Sequence, residues 1–458
     1  MSLGKVVENI RTAQAKFNIF TSHIKVTPSI ATPTHGTLAN KTAAIKDNIV
    51  TKDFPTTCAS NVLKDYTSPF DATVVSLLKE DGAVVIGKTN LDEFGMGSLG
   101  MHTIFNPVKN PLNTDWCIGG SSSGSAAAVA SGVADFSLGT DTGGSVRLPS
   151  AYSSILGFKP SYGRLSRWGI VSFAQSLDTV GIMAKDIETV TKVFNTLDKY
   201  DTRDPTSLSQ ELRDEINEKV AKTTQKKPTI GIPQEFIQSE LAPEIKESFL
   251  AYINGLLKKG YDIYPVSIPS IKDSLSVYYT LAPAEAASNL ARYDGIRYGT
   301  TDAGKADIVN DKFFNAARAN FGPEVKNRII LGNYNLSSDG YKNNFIKAQK
   351  LRVQMINQFD KIFAFENVLT RNKPIENIDI IICPTNLTPP PLMKRVSNTQ
   401  KQNPLHEYMN DIYTIPMSLA GLPTISIPLT TGKPWGIQIS TQYGNDRTLL
   451  DFVKTNSA

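Results

Sequence analysis

Two serine-rich tracts and one lysine carry the chemistry open to this sequence. Gly119-Gly-Ser-Ser-Ser-Gly-Ser125 is followed by Gly139-Thr-Asp-Thr-Gly-Gly-Ser-Val-Arg-Leu-Pro149, and Ala44-Ile-Lys-Asp-Asn-Ile49 lies upstream. Serine hydroxyls are weak nucleophiles until a base activates them. Histidine, the usual base, is scarce: His23, His35, His102 and His406 show no HExxH spacing, and no GxSxG elbow is present. Four histidines still permit a Ser-His-Asp triad by count, but with no elbow to anchor one an enzyme built on these residues is expected to work without histidine. A flexible-linker reading of the tracts fails. Helix-forming Ala126–Ala130 follows the first directly, and Arg147 and Pro149 interrupt the second. Phosphate binding by backbone N–H groups at a helix start stays open for Ser121–Ser125 taken alone. Gly82–Thr89 matches G-x4-G-K-[ST], but its four middle residues are apolar and β-forming, which predicts a strand rather than a phosphate loop.

The elements that must position these residues alternate between helix and strand. Asp71–Asp81 reads as a helix, with Asp71 as its cap and Gly82 after its end. Ala83–Ile86 reads as a short buried strand, and Ser125–Ser131 as a small-residue helix. Residues 201–227 hold 12 charged residues of 27 and read as a solvated connector. Strand, helix and strand follow at 229–233, 244–259 and 261–266. Residues 280–360 read as mostly helical, and 378–382, 424–428 and 435–440 as core strands. The pattern predicts an α/β fold with a largely covered sheet.

Composition narrows the class. The chain has 458 residues, 40% hydrophobic and 20% charged, as in ordinary globular proteins. No stretch approaches the apolar length of a membrane span. Lys and Arg number 48 against 43 Asp and Glu, an excess too weak to argue for nucleic-acid binding. Three widely spaced cysteines without CxxC argue against a disulfide framework or a cysteine zinc site, and no metal ligands are assigned. Residues 1–30 are expected to form a separate N-terminal segment. Its Lys5, Arg11, Lys16 and Lys25 against Glu8 fit a mitochondrial targeting segment or its remnant, and equally an ordinary surface helix.

Together AIKDNI, Lys88–Phe94 (KTNLDEF), GGSSSGS and GTDTGGSVRLPS resemble the amidase signature family, in order and with the family's 24-residue step from Ser121 to Ser145. The resemblance implies one domain over 31–458, with a large mixed, mostly parallel sheet covered by helices on both faces. It implies a Ser–cis-Ser–Lys triad. Ser145 would be the nucleophile, Ser121 the relay on a cis peptide and Lys46 the base. A lysine base must be neutral, so burial has to lower its proton affinity by roughly 3 pH units from a free value of about 10.4. Thr142, Gly143 and Gly144 would present backbone N–H groups to the oxyanion. Ser122 would bond within the relay, and Asp141 with Arg147 would form a structural pair. Many members carry Gly where Ser123 stands, so a positive φ there would strain Ser123.

Within the family the chain resembles the glutaminase subunits of tRNA-dependent amidotransferases. Thr56–Ser60, Gly157–Ser166, Ser176–Asp178, Asn289–Gly299, Val325–Gly332 and Tyr408–Asp411 carry that likeness. It implies that Tyr278 (or Tyr279), Arg328 and Asp411 hold free glutamine, Arg328 taking the α-carboxylate and Asp411 the α-ammonium. It further implies a B-type partner that binds tRNA and uses ATP and Mg2+, a small third subunit, and no cofactor in this chain. A shortened segment before Lys46, an extra segment near 363–377 and a pI of about 8.8 point to a mitochondrial version.

Overall fold

Short runs of Val, Ile and Thr become the strands of one sheet, because branched side chains pack well on a pleated surface. The computed structural model describes residues 3–25, 35–223, 227–295, 297–300, 318–399 and 408–456. Parts of the N-terminal segment (26–30), of the charged stretch (224–226) and of the helical region (301–317) lie outside the described residues. The strands are β1 (Phe20–His23), β2 (Thr42–Lys46), β3 (Val84–Thr89), β4 (Phe136–Asp141), β5 (Leu156–Lys159), β6 (Thr179–Ala184), β7 (Ile230–Pro233), β8 (Ile263–Val266), β9 (Ile380–Pro384), β10 (Thr424–Pro428) and β11 (Gly436–Thr441). They form one 11-stranded sheet in the order β1-β3-β2-β4-β6-β5-β10-β11-β9-β7-β8.

The sheet is mixed as expected, but it is not mostly parallel. Among the described residues six pairings are antiparallel and four parallel. The reason is connection length. Parallel neighbours need a long crossover, whereas the short link from Pro428 to Gly436 can only return the chain antiparallel, as β10 and β11 run.

Successive strand residues feed opposite faces. Ile45, Ile182, Ile380 and Ile382 join one hydrophobic cluster with Val190, Phe194, Leu449 and Phe452. Their neighbours Ala44 and Met183 join another, and Ile381 a third. Period-two burial on both faces is why these strands read as continuous apolar runs.

The principal helices are α1 (Leu3–Phe17), α2 (Thr73–Glu80), α3 (Ser123–Ala130), α4 (Arg147–Tyr152), α5 (Ile187–Leu197), α6 (Gln210–Thr223), α7 (Pro243–Lys258), α8 (Ser274–Leu290), α9 (Pro323–Leu336), α10 (Ile346–Ile362) and α11 (Asp446–Asn456). In α1, Val6, Ile10, Ala13 and Phe17 pack with Ile86 of β3 and the alanines of α3. The described part of the N-terminal segment is therefore built into the fold, with β1 as an edge strand.

Two local expectations are corrected. Asp71 does not cap α2: the helix starts after Ala72 without a side-chain cap, and the Asp71 carboxylate accepts from Lys52 N–H at 2.9 Å and Lys79 Nζ at 2.9 Å. The stretch 201–227 is not a solvated connector where it is described. Leu208 is buried just before α6, and within it Ile216 and Val220 are buried and Leu212 is partly buried, a four-residue spacing that lays one face of the helix into the core. Arg213 is buried against Asp198 and the Arg164 carbonyl. The extra segment is closed by Asp360, which accepts from Asn367, Thr370 and Asn372. No helix among the described residues is long and apolar enough to cross a membrane.

Candidate active site

Lys46 ends β2 between the parallel strands β3 and β4, so its side chain has no path to water. It is 0% exposed. Its Nζ donates to Ser121 Oγ at 2.8 Å, to Thr140 Oγ1 at 2.9 Å and to the Thr140 carbonyl at 3.3 Å. Burial lowers its pKa to about 7, against the opposing pull of Asp92, Asp141 and Asp178. Asp47, next in the chain, turns elsewhere and meets buried Lys88 at 3.1 Å. Lys88 also donates to Thr56 Oγ1 at 2.7 Å, and Val84–Thr89 is a strand, so the P-loop-like string has no phosphate cradle.

The Gly120–Ser121 peptide is cis. A Cβ on Gly120 would lie 2.0 Å from Asp92 Oδ2, which leaves room for glycine alone. Ser122 ties the two serine tracts together. Its N–H donates to the Ser145 carbonyl at 3.2 Å and its Oγ to the Thr140 carbonyl at 3.2 Å. Ser122 thus shares an acceptor with Lys46. Ser123 has entered α3 and has no positive φ, so the strain considered for it does not arise. Residues Ser123–Val129 are all buried, which closes this helix start to a phosphate.

Ser145 sits on the turn between β4 and α4, partly exposed where its neighbours are buried. The turn is fixed from beneath. Arg147 grips Asp141 through Nη2 at 2.9 Å and Nε at 3.0 Å, and both side chains are fully buried. The remaining Arg147 donors reach the Thr414 carbonyl (2.8 Å), Gln438 Oε1 (3.0 Å) and Ser418 Oγ (2.7 Å). Burial alone would raise the Asp141 pKa, but Arg147 more than offsets it and holds the carboxyl below its usual value. The Asp141–Arg147 ion pair is thus present, fully buried and rich in partners, as a structural device would be.

The turn's other contacts explain its glycines. A Cβ on Gly143 would lie 2.7 Å from the Tyr278 ring, and one on Gly144, at φ +147°, 2.2 Å from Thr414 Oγ1. Thr142 donates to Asp178 at 2.7 Å, and Asp178 also accepts from the Phe173 and Ala174 N–H groups. Burial raises the Asp178 pKa.

Beyond Tyr278 lies a second polar group. Tyr279 donates to Asp411 at 2.8 Å and stacks on Tyr408 at 4.1 Å. The Arg328 guanidinium lies 5.5 Å from the Tyr408 ring centre and donates to Glu324 at 2.6 Å. Arg328 and Asp411 are 6% and 8% exposed, so neither is the solvated surface residue that an isolated reading would make it. Burial raises the proton affinity of both tyrosine hydroxyls, keeping them as donors.

Sequence reasoning did not single out Thr140, Tyr408 or Asp178 individually, although each lies in a motif that carried the resemblance. Thr414 and Glu324 had no such signal. Thr414 acts on the Gly143 carbonyl (2.6 Å) from 271 residues away.

Residues 21–450 match the family model described as Amidase. The A subunit of the mitochondrial glutamyl-tRNA(Gln) amidotransferase of Eremothecium gossypii is 54% identical over 455 residues, covering 98% of each chain. Its like-named counterpart from Candida albicans is 43% identical over 439 residues, covering 96% of this chain and 95% of its own. Among solved structures, the A subunit of the glutamyl-tRNA(Gln) amidotransferase of Thermotoga maritima superposes with a TM-score of 0.77 at 32% identity, covering 98% of this chain and 89% of that one.

Proposed function

This chain belongs to the Amidase family, and from that premise we propose that it is the glutaminase subunit of a mitochondrial tRNA-dependent amidotransferase. The observation that carries the reading is the Lys46–Ser121 contact: a buried lysine with a pKa of about 7, 2.8 Å from the Ser121 hydroxyl. Such an amine is largely neutral at mitochondrial pH and can accept a proton.

In the proposed reaction Ser145 Oγ attacks the side-chain carboxamide carbon of glutamine. Its proton passes through Ser121 to Lys46. The N–H groups of Thr142, Gly143 and Gly144 take the developing oxyanion, each such donor being worth about 10²–10³ in rate. The proton returns to the leaving nitrogen, ammonia departs, and a glutamyl ester remains on Ser145. Water then hydrolyses the ester by the same relay. Arg328 pairs with the α-carboxylate and Asp411 with the α-ammonium. A purely apolar amide would desolvate both charged groups and give neither a partner in return.

The ammonia serves the conversion of Glu-tRNA(Gln) to Gln-tRNA(Gln). A B-type partner binds the tRNA and activates its glutamyl carboxylate with ATP and Mg2+, and a small third subunit completes the complex. No cofactor is assigned to this chain. The test is ammonia release from glutamine by the purified chain, with and without a co-expressed B-type partner and Glu-tRNA. Release that needs Ser145, judged by Ser145→Ala, and rises with the partner is the expected result. Cleavage of simple amides without any release from glutamine would make this a stand-alone amidase.

A further inference from the structure

The geometry points to Glu93 as a positioning residue that sets the distance between the serine–lysine group and Arg328, and so selects amides that carry an α-carboxylate at glutamine's length. The inference rests on the reading of Arg328 as the carboxylate-binding cation.

The argument starts at the N-terminus of α9. Helix starts expose N–H groups that want an acceptor, and a negative charge there is favoured. Here Gly322 is the capping residue and has no side chain, and Pro323 follows with no N–H. The acceptor comes from far along the chain. Glu93 Oε2 accepts from the Gly322 N–H at 2.7 Å, across 229 residues, while Oε1 accepts from Ser60 Oγ. Glu93 is 5% exposed, with His102 and Lys326 as the nearby positive groups.

Glu93 is also tied to the serine relay. Phe94 and Gly95 follow it in one tight turn with positive φ. The Asp92 N–H, one residue before Glu93, donates to the Ser121 carbonyl at 3.2 Å, and a Cβ on Gly95 would lie 3.6 Å from Ser121 Oγ. The Phe94 ring packs on Tyr293 (5.4 Å) and on Phe321 (5.6 Å), the residue before Gly322. One short turn therefore touches the relay serine on one side and the start of α9 on the other. Arg328 stands six residues into that helix, roughly 9 Å along its axis. At the far end, Gly332 lies so close to α8 that a Cβ would meet the Pro283 carbonyl at 2.0 Å. Glu93 holds the near end. Without it the first turns of α9 can shift, and Arg328 with them, while the triad keeps its own contacts.

The test compares two substrates in full-length chain co-expressed with its partner: glutamine, and butyramide, which is glutamine without its α-carboxylate and α-ammonium. Glu93→Ala is expected to raise KM for glutamine tenfold or more and to leave kcat/KM for butyramide within twofold. Glu93→Gln keeps a carbonyl acceptor and is expected to recover most of the glutamine KM. Gly322→Ala is an independent route, because its Cβ would lie 2.3 Å from Glu93 Oε2 and push the carboxylate away. It should reproduce the glutamine defect alone and add nothing in the Glu93→Ala background. Equal loss on both substrates, or an unchanged glutamine KM in both variants, overturns the proposal. A parent protein that cleaves butyramide but never glutamine overturns the glutaminase reading, and this inference with it.

Discussion

The Tyr279 hydroxyl donates to the Asp411 carboxylate at 2.8 Å, while Tyr278, its neighbour in the chain, turns its ring onto Gly143. Adjacent residues on a helix point about 100° apart. The two tyrosines, whose rings meet edge to face at 5.0 Å, therefore serve different parts of one site. Tyr279 orients the group proposed to bind the substrate ammonium. Tyr278 walls the turn that carries Ser145.

That division is testable. Tyr279→Phe removes a hydrogen bond to a charged group and is expected to weaken glutamine binding by about 1–2 kcal/mol, a factor of roughly 5–30 in KM. Tyr278→Ala is expected to lower kcat instead, by loosening the turn. Steady-state kinetics of both variants decide it. Identical effects on KM and kcat from the two changes would refute separate roles.

In the proposed relay the Lys46 amine governs the pH dependence. Only the neutral form accepts a proton, and its pKa in the fold is about 7. Glutamine hydrolysis should rise as pH climbs through about 7 and level off above it. For stability, the unfolded chain holds one more proton than the folded chain between about 7 and the ordinary lysine value of 10.5, so Lys46 makes folding more favourable as pH rises across that window. Buried Lys159, also lowered to about 7 by burial and by Arg147, adds in the same direction. A pH–rate profile without an ascending limb near 7 would count against Lys46 as the base. Lys46→Arg, always charged, should not restore activity.

Gly143 and Gly144 admit no side chain. Gly143→Ala would drive a methyl into the Tyr278 ring, and Gly144→Ala would strike Thr414 at a φ that alanine rarely adopts. Each is expected to reduce kcat by about 10²–10³, the typical worth of one oxyanion donor. Measured kcat near that of the parent in either variant would show that the turn carries no oxyanion function.

Asp141→Asn would leave Arg147 charged and fully buried without its partner. Removing one member of such a pair typically costs about 3–5 kcal/mol. Urea denaturation should show a loss of that size, with activity following stability. Replacing Ser122 by Ala removes only its 3.2 Å bond to the Thr140 carbonyl, and a cost of about 1 kcal/mol is expected.

Much of the sheet was legible because a buried strand needs only a short run of branched residues. Strands β3, β7, β8, β9, β10 and β11 fall on or within a few residues of the runs read as strands. Helix α6 was not legible by charge, because its buried face needs one apolar residue in four and its polar residues mask it. Asp71 has the residue type of a cap, yet Lys52 and Lys79 claim its carboxylate. Strand direction was misjudged because it depends on how connections close in space.

The sequence by itself singled out the residues proposed to do the chemistry. Lys46, Ser121 and Ser145 lie in contiguous motifs at a set spacing, and side-chain chemistry is carried by residue type. The tertiary structure alone decided the working state of those residues. The Lys46 pKa falls to about 7 because packing between β3 and β4 strips away its water, and burial belongs to the assembled sheet rather than to any residue. Asp411 takes Tyr279 rather than Tyr278, and Arg147 finds Thr414, across 132 and 267 residues. Partners that distant are chosen by shape and by the need to satisfy every buried polar group.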